Sequence, residues 1–298
     1  MQLIIEQQEP RLIAAALAEQ FDFASADAQC MKACYNALLS PDATYVFFSR
    51  YAAINGFAGP LVARLASAIG LSRGTFIDQD EYPDIADKDM LVAQQVFSAT
   101  IDEFGDAGQR GLTHRTLAQA TVEAAAQFAG LSRYRRRELA QLPGTYQPLL
   151  ESFIRDYQGE VGNARRLVYA LGYHLASELR ADREYALIDE VFLHSSWGKD
   201  FKAWLNEHKR VSLFGEALPS WYWVATHGHY GGNGVEWQHF DAALVAIRGA
   251  RRYSPLPIAE FDTLVAEGFG DFIRLINDTF ILLAGECGAV AASEEAQV

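Results

Sequence analysis

The sequence has little cysteine and few basic residues, and each shortage excludes a class of protein. It has three cysteines among 298 residues, and a chain of this size needs no disulfide bonds to be stable. We therefore expect Cys30, Cys34 and Cys287 to be reduced, buried and chemically inert. The formal net charge is −13. Because nucleic acids and anionic membrane surfaces are themselves polyanions, neither is an expected partner.

Long apolar runs and leader-like segments are also missing. No run of about 18 consecutive apolar residues is present to span a bilayer, and no basic segment leads into an apolar core at the N-terminus. These absences predict a cytoplasmic protein that binds no membrane and whose partners are small molecules. A homodimer is compatible with such a chain.

Alternating β-branched runs are nearly absent, whereas alanine, leucine, glutamine and arginine dominate long stretches. This composition predicts an all-α protein. Among its helices we expect one over 43–70, kinked at Pro60, and one over 85–104. No long polar linker divides the chain. A single domain over 1–298 is therefore expected, with a frayed tail over about 288–298.

One candidate functional segment is EFGDAGQRGLTH, where a glycine-rich break separates an acidic helix end from a histidine. The buried side of the preceding helix is expected to carry Val96, Phe97 and Ile101, which would point Glu103 inward. Thr113 can cap the next helix and place His114 on its first turn. The glycines let the chain reverse, so the loop returns His114 toward Glu103. Capping or surface solvation is the alternative for each residue alone.

A second segment, HGHYGGNGVEWQH, combines histidines with a glutamate. Glu236 and His239 are three residues apart on a helix, which is a metal-chelating spacing. His227 and His229 precede a glycine-rich bend, so one of them could fold back toward the same pocket. His229 is preferred because it is nearer to Glu236. The alternative is a solvated loop with incidental histidines.

A third segment places His174, Glu178 and Asp182 at successive spacings of four. They form a polar stripe on an otherwise apolar helix. A carboxylate that faces a core is costly unless it is paired or binds a cation, and a metal ion would supply the compensation. The alternative is an exposed stripe that forms salt bridges with Arg180 or Arg183.

Together these residues resemble the metal motifs of the haem-oxygenase-like di-iron oxidases and oxygenases, all-helical enzymes that bind no haem. Glu103 and His114 match the family's first motif, a glutamate at a helix end and a histidine about ten residues later. Glu178 matches the single glutamate of the second motif. Glu236 and His239 match the last two members of the third motif, a histidine, acid and histidine run.

The third motif also shows how this chain departs from the family. Family members have a histidine four residues before the acid, where this sequence has Gly232, so His229 or His227 must substitute. The acid is glutamate rather than the usual aspartate. The resemblance covers about residues 85–250.

The resemblance implies a haem-oxygenase-like bundle of about seven core helices with extra peripheral helices. It implies that iron, with manganese as an alternative, occupies one or two positions at the centre of the bundle. There it would react with O2 to oxidise a small organic substrate such as an amine, an amino acid or a fatty acid. The implied metal ligands are Glu103, His114, Glu178, His229, Glu236 and His239, with His227, His174 and Asp182 as second choices.

Two other functions remain open at this point. One is a metal-free small-molecule-binding or interaction protein of the same fold, with the polar stripe engaged in salt bridges. The other is a thiaminase-like hydrolase acting through a cysteine on a central helix. The cysteines lie toward the two ends of the chain, which disfavours the hydrolase.

Overall fold

The computed structural model describes residues 9–109, 111–228 and 235–296, and helices dominate these ranges. The predicted all-α class is confirmed. The helices are α1 (Pro10–Gln20), α2 (Phe23–Ala37), α3 (Pro41–Asn55), α4 (Ala58–Leu71), α5 (Asp89–Ser98), α6 (Thr100–Phe104), α7 (His114–Phe128), α8 (Arg133–Leu139), α9 (Gln147–Tyr157), α10 (Ala164–Asp189), α11 (Lys199–Glu207), α12 (Tyr222–His227), α13 (Val235–Tyr253) and α14 (Ile258–Glu295). A single π-helical turn, Glu190–His194, continues α10.

The bundle is built around α10, which packs against α14, α13, α12 and α2, while α14 also packs against α2 and α3. The crossing of α10 and α14 is unusually close. A Cβ atom at Gly172 would overlap the backbone of Val265, and one at Gly268 would overlap the carbonyl of Tyr169. Because glycine has no side chain, the two backbones can touch at this point.

Two helices expected to be continuous are divided. The predicted helix over 43–70 stops at Asn55 and resumes at Ala58, so the expected kink at Pro60 is wrong. Pro60 lies in the first turn of α4, where an N–H group has no partner within the helix and proline is tolerated. The expected helix over 85–104 is likewise split at Ala99 into α5 and α6.

A short antiparallel hairpin was not expected from the sequence. Its strands, β1 (Arg210–Leu213) and β2 (Glu216–Pro219), are joined by Phe214 and Gly215, which have φ angles of 55° and 80°. Two consecutive positive φ angles are typical of the tight turns that join hairpin strands. Val211 and Leu218 face each other and are buried, so one side of the hairpin covers the core.

The C-terminal stretch is helical as far as Glu295, so the expectation of a frayed tail from about residue 288 is wrong over that range. Cys287 and Ala291 are buried and hold this last part of α14 against the bundle. Residues 297 and 298 lie outside the described residues.

Two helical stretches, Pro41–Leu71 and Ile258–Glu294, are long and apolar enough to cross a membrane by length and composition alone. Neither is an unbroken apolar run, because each contains charged residues such as Arg50 and Asp271. The first is interrupted between α3 and α4, and residues of both stretches belong to the core. The cytoplasmic location stays a prediction.

Candidate metal centre

A cavity of about 280 Å³ lies beside the middle of α10. One face of that helix contributes Ser177, Glu178, Ala181, Glu184 and Tyr185 to its wall. With about 100° of rotation per residue, these positions span one side of a helix. The opposite walls include Phe104, Phe153, Trp223, Phe272 and Ile276. The cavity therefore combines an apolar lining with polar side chains from α10 and from other helices, among them Glu103, His114, Glu236 and His239.

The loop between α6 and α7 brings Glu103 and His114 together at the cavity. The N–H of Asp106 donates to the carbonyl of Leu112 at 2.9 Å, which closes the loop, and Gly111 adopts a φ of 79°. Thr113 caps α7 as expected, its hydroxyl accepting a hydrogen bond from the backbone N–H three residues later at 3.1 Å. His114 is thus fixed on the first turn of α7, facing back toward α6.

Glu103, His114 and His227 form a first triad of metal-ligand type, with one ligand atom of each residue within 4.8 Å of the other two. His114 Nδ1 lies 3.3 Å from Glu103 Oε1 and 3.2 Å from His227 Nε2. Both histidines are buried, and their rings meet edge to face.

Glu178, Glu236 and His239 form a second triad within the same 4.8 Å limit, and all three are buried. His239 Nδ1 lies 3.4 Å from Glu178 Oε2 and 3.6 Å from Glu236 Oε2. The helical spacing of three places Glu236 and His239 on the same side of α13.

Glu236 joins the two triads. Its Oε2 faces His239, whereas its Oε1 lies 3.5 Å from His227 Nε2. A carboxylate with one oxygen toward each triad has the geometry to contact two neighbouring cations. Such carboxylates occur in the di-iron and di-manganese sites of helical bundles.

Two histidines of the first triad have defined orientations. His227 Nδ1 lies 2.5 Å from the backbone carbonyl of Trp223. A hydrogen bond from Nδ1–H to that carbonyl directs Nε2, the nitrogen with the available lone pair, into the triad. His114 presents Nδ1 to the triad, and its Nε2 lies 3.6 Å from Asp106 Oδ2. Asp106 was not identified from the sequence.

The remaining sequence candidates lie in different places. His174 is fully buried with Nδ1 3.1 Å from Glu178 Oε1 and 2.7 Å from the Tyr157 hydroxyl, beside the second triad but in neither. Asp182 lines a separate surface crevice. His229, the preferred substitute histidine, and Gly232 lie outside the described residues, whereas His227 is in the first triad.

The expected buried side of the helix before Glu103 is only partly correct. Val96 is buried, but Phe97 and Ile101 are 52% and 62% exposed. Phe97 lies within α5 but on its exposed side, and Ile101 lies in α6, after the break at Ala99. Glu103 nevertheless lines the cavity.

Burial and charge perturb the pKa values of the site. Burial raises the pKa of Glu236 to about 7. Burial acts in the same direction on Glu178, but hydrogen bonds from His174 and His239 hold its pKa well below the usual range. Burial opposes the charged form of His114, yet the adjacent Glu103 carboxylate raises its pKa. The site is thus a concentration of buried acids whose partners in the triads are imidazoles.

This donor set fits a divalent transition metal. Three carboxylates and three imidazoles without a thiolate suit iron or manganese, and they are also compatible with zinc. Among the residues that line the cavity, Arg115 is the only arginine or lysine, and it is exposed. The three carboxylates therefore lack a buried cationic side chain of their own. A bound divalent ion would offset the burial cost that raises the pKa of Glu236.

The three cysteines lie elsewhere. Cys30, Cys34 and Cys287 are free thiols in the core, as expected, and none lines the cavity. Burial raises the pKa of Cys34 well above its usual value and that of Cys287 strongly. Thiols in this state are poor nucleophiles at neutral pH because the reactive thiolate is scarcely populated.

Comparisons with known proteins leave the family open. No family model matches the chain, and no curated protein matches it in sequence. Among solved structures, it is similar to a TenA homolog from Pseudomonas syringae pv. tomato str. DC3000, with 12% sequence identity and a TM-score of 0.49. The match covers 93% of this chain and 98% of that chain. Structural similarity at this level of sequence identity says nothing about the activity of this chain or about a metal.

Proposed function

We propose that this protein is a non-haem iron enzyme that uses O2 to oxidise a small organic substrate. Two iron ions would be held by Glu103, His114 and His227 on one side and by Glu178, Glu236 and His239 on the other. The observation that carries this proposal is the shared carboxylate, since Glu236 has one oxygen toward each triad, at 3.5 Å and 3.6 Å from the nearest histidine nitrogens. Manganese is the alternative metal.

The bound metal would supply the redox chemistry with O2. The chain's own residues would fix the metal positions and shape the space beside them. Trp223 holds His227 through its backbone carbonyl, and His174 lies 3.1 Å from the carboxylate of Glu178. These contacts reduce the freedom of two ligands before any metal binds. The apolar walls would keep bulk water from the reacting atoms.

The substrate would be small, because a cavity of about 280 Å³ lies just below the usual range for ligand pockets. It would pack against the aromatic and aliphatic walls contributed by α9 and α14. An amine, an amino acid or a fatty acid of short length would fit this description. The residues do not select among them.

The two alternative functions have weaker support. A cysteine-dependent hydrolase needs a reactive thiol at its cavity, whereas the three thiols are buried elsewhere. A metal-free binding protein would have to leave Glu178 and Glu236 buried with histidines as their nearest charge partners. This arrangement carries a desolvation cost that metal binding would offset.

Metal analysis after anaerobic loading tests the proposal. Purified protein is incubated with Fe(II), freed of excess metal and analysed for iron, with about two ions per chain expected from the two triads. Glu178→Ala should lose at least one ion while retaining the helical circular dichroism spectrum. Asp182→Ala is the matched control, because Asp182 is an acid one turn further along α10 and outside both triads.

The metal contents of the wild type and of these two variants decide whether the proposal holds. Iron and manganese contents that both stay well below one per chain after loading would exclude a metal enzyme. Equal metal loss in both variants would show that the triads are not the binding site. Exposure of the loaded protein to oxygen should then produce a transient visible absorption band that Glu178→Ala lacks.

A further inference from the structure

Glu184 lines the cavity but belongs to neither triad. It is 3% exposed, and both of its carboxylate oxygens have donors. Oε1 accepts a hydrogen bond from Arg180 Nε at 2.9 Å, and Oε2 accepts one from the Tyr51 hydroxyl at 3.2 Å. The cavity wall thus includes a buried acid that the proposed metal site does not use.

Glu184 shares its buried cation with a second carboxylate. Arg180 is fully buried and shares its guanidinium between Glu184 and Asp27. Asp27 has a second guanidinium partner, since Arg183 Nε lies 2.8 Å from its Oδ2. Asp27 thus contacts two guanidinium groups whereas Glu184 contacts one, so the burial of Glu184 is the less fully compensated. Glu184, which has the smaller share of positive charge, is the acid that gains a proton most readily.

The neighbouring tyrosine and cysteine side chains keep their own protons at neutral pH. Burial raises the pKa values of Tyr51, Tyr185 and Cys34 well above their usual ranges. Burial also raises the pKa of Glu184 to about 7, although Arg180 opposes the shift. Glu184 is therefore the group in this cluster that changes its protonation near neutral pH.

The hydrogen-bonded cluster extends from the cavity to the surface. Asp27, at its far end, lines a separate crevice of about 360 Å³ together with Asp182 and Arg183. The side chain of Asp27 is 14% exposed, in contrast to Arg180 at 0%. Arg180 thus connects the cavity wall to a crevice on the side of the molecule formed by α1 and α2. Because a guanidinium keeps its proton, Arg180 holds the two carboxylates in place and does not relay protons between them.

We propose that Glu184 is the proton carrier of the cavity, and this role rests on the proposed function because the reduction of O2 consumes protons. The O–H bond of the protonated carboxyl breaks, and a new O–H or N–H bond forms on the molecule bound beside it. The resulting carboxylate is stabilised by Arg180 and Tyr51. The proton is replaced from solvent, and no electrons are transferred in this step.

Infrared titration of the metal-free protein tests whether Glu184 holds this proton. The wild type should show the C=O band of a protonated carboxyl that disappears as the pH is raised through about 7, and Glu184→Gln should lack it. Glu236→Gln identifies the separate contribution of Glu236. Tyr51→Phe removes a donor to the ionised form, so the midpoint should rise by about one pH unit. Identical spectra for wild type and Glu184→Gln would overturn the proposal.

The reaction with oxygen tests whether the proton is used. Glu184→Gln should bind as much Fe(II) as the wild type, but oxidation of that iron by O2 should be slowed about 100-fold, which is the lower range for loss of a general acid. Glu286→Gln is the matched control, because Glu286 also accepts hydrogen bonds from an arginine and a tyrosine, Arg50 and Tyr146, but lies outside the cavity.

The two possible failures are distinguishable. A Glu184→Gln protein that binds iron and reacts at the wild-type rate, with an unchanged pH profile, would overturn the role of Glu184 and leave the proposed function intact. A wild-type protein that binds no iron would overturn the proposed function itself. The infrared result reports on the proton of Glu184 in either case.

Discussion

Asp106 is the carboxylate nearest to the outward-facing nitrogen of His114. Its Oδ2 lies 3.6 Å from Nε2, slightly beyond hydrogen-bond distance, and Nε2 has no hydrogen-bond partner among the described residues. Its Oδ1 accepts hydrogen bonds from the N–H of Gln109 at 3.0 Å and from the Tyr222 hydroxyl at 3.3 Å. Asp106 is therefore fixed by the loop and positioned to hold Nε2–H while Nδ1 binds metal.

Replacing Asp106 should weaken metal binding without removing a ligand. Asp106→Asn is expected to reduce the affinity of the first triad for Fe(II) or Mn(II) by about 10-fold to 100-fold, the usual effect of losing a contact behind a metal-bound histidine. Competition with a chelator measures the change. Asp182→Asn, in the other crevice, should have wild-type affinity, and an equal loss in both variants would contradict a specific role for Asp106.

The residues that the sequence identified are those whose partners are fixed by short-range rules. The capping preference of Thr113 placed His114, and the spacing of three placed Glu236 beside His239. Glu184 and Asp106 were missed for a different reason. Their roles depend on Arg180 and on the loop around His114, and no local spacing predicts contacts between separate helices.

At the scale of the helices, the centre depends on how closely α10 approaches α14. Gly172 and Gly268 allow the two backbones to touch. Gly172 lies six residues before the proposed ligand Glu178. Glycine inside a helix is normally unfavourable by about 1 kcal/mol relative to alanine. Here the steric demand of the crossing outweighs that preference.

The substitution Gly172→Ala should therefore destabilise the protein, although alanine is the better helix former. The new methyl group would overlap the backbone of Val265, and forcing extra volume into a packed core typically costs about 1–3 kcal/mol. Thermal or urea unfolding measures the loss. Gly285→Ala is the control in α14, since a Cβ there meets nothing within 4 Å. A Gly172→Ala protein as stable as the wild type would contradict the close crossing.

The all-α class could be predicted from composition, but the ends of several helices could not. The break between α3 and α4 lies before Pro60 because proline suits the first turn of a new helix. The split of α5 and α6 at Ala99 has no such signal in the sequence, and Ile101, which follows it, is exposed. Where a helix ends without glycine or proline, tertiary packing decides the boundary.

At the scale of the whole molecule, burial raises the pKa values of several acids, and this makes the folded protein more stable at low pH. Burial raises the pKa of Glu184 and Glu236 to about 7 and that of Asp182 to about 6. The pKa of His114 is raised as well. Each folded-state pKa exceeds the unfolded value, so the folded chain binds more protons than the unfolded chain over the range between the two values. The three acids therefore make the metal-free protein less stable as the pH rises from about 4 to about 7, and His114 adds to this loss above its unfolded pKa of about 6.5.

Metal binding should reverse part of this pH dependence. A metal ion binds ionised Glu236 and neutral His114, so it competes with protons at Glu236 below about pH 7 and also at His114, whose pKa is raised. The affinity for Mn(II) should consequently rise by about tenfold or more from pH 6 to pH 8. At a concentration of 100 times Kd, a single ion adds about 2.7 kcal/mol, and the increase in Tm should be larger at pH 8 than at pH 6.

Thermal unfolding with and without Mn(II) at the two pH values measures this effect. Glu236→Gln should lose most of the stabilisation at both, because it removes the carboxylate shared by the triads. The metal-free wild type should show the opposite trend, with a Tm that falls from pH 6 to pH 8. A Mn(II)-dependent increase in Tm that is equal at the two pH values would show that the metal does not displace protons from these buried residues, and hence that it binds elsewhere.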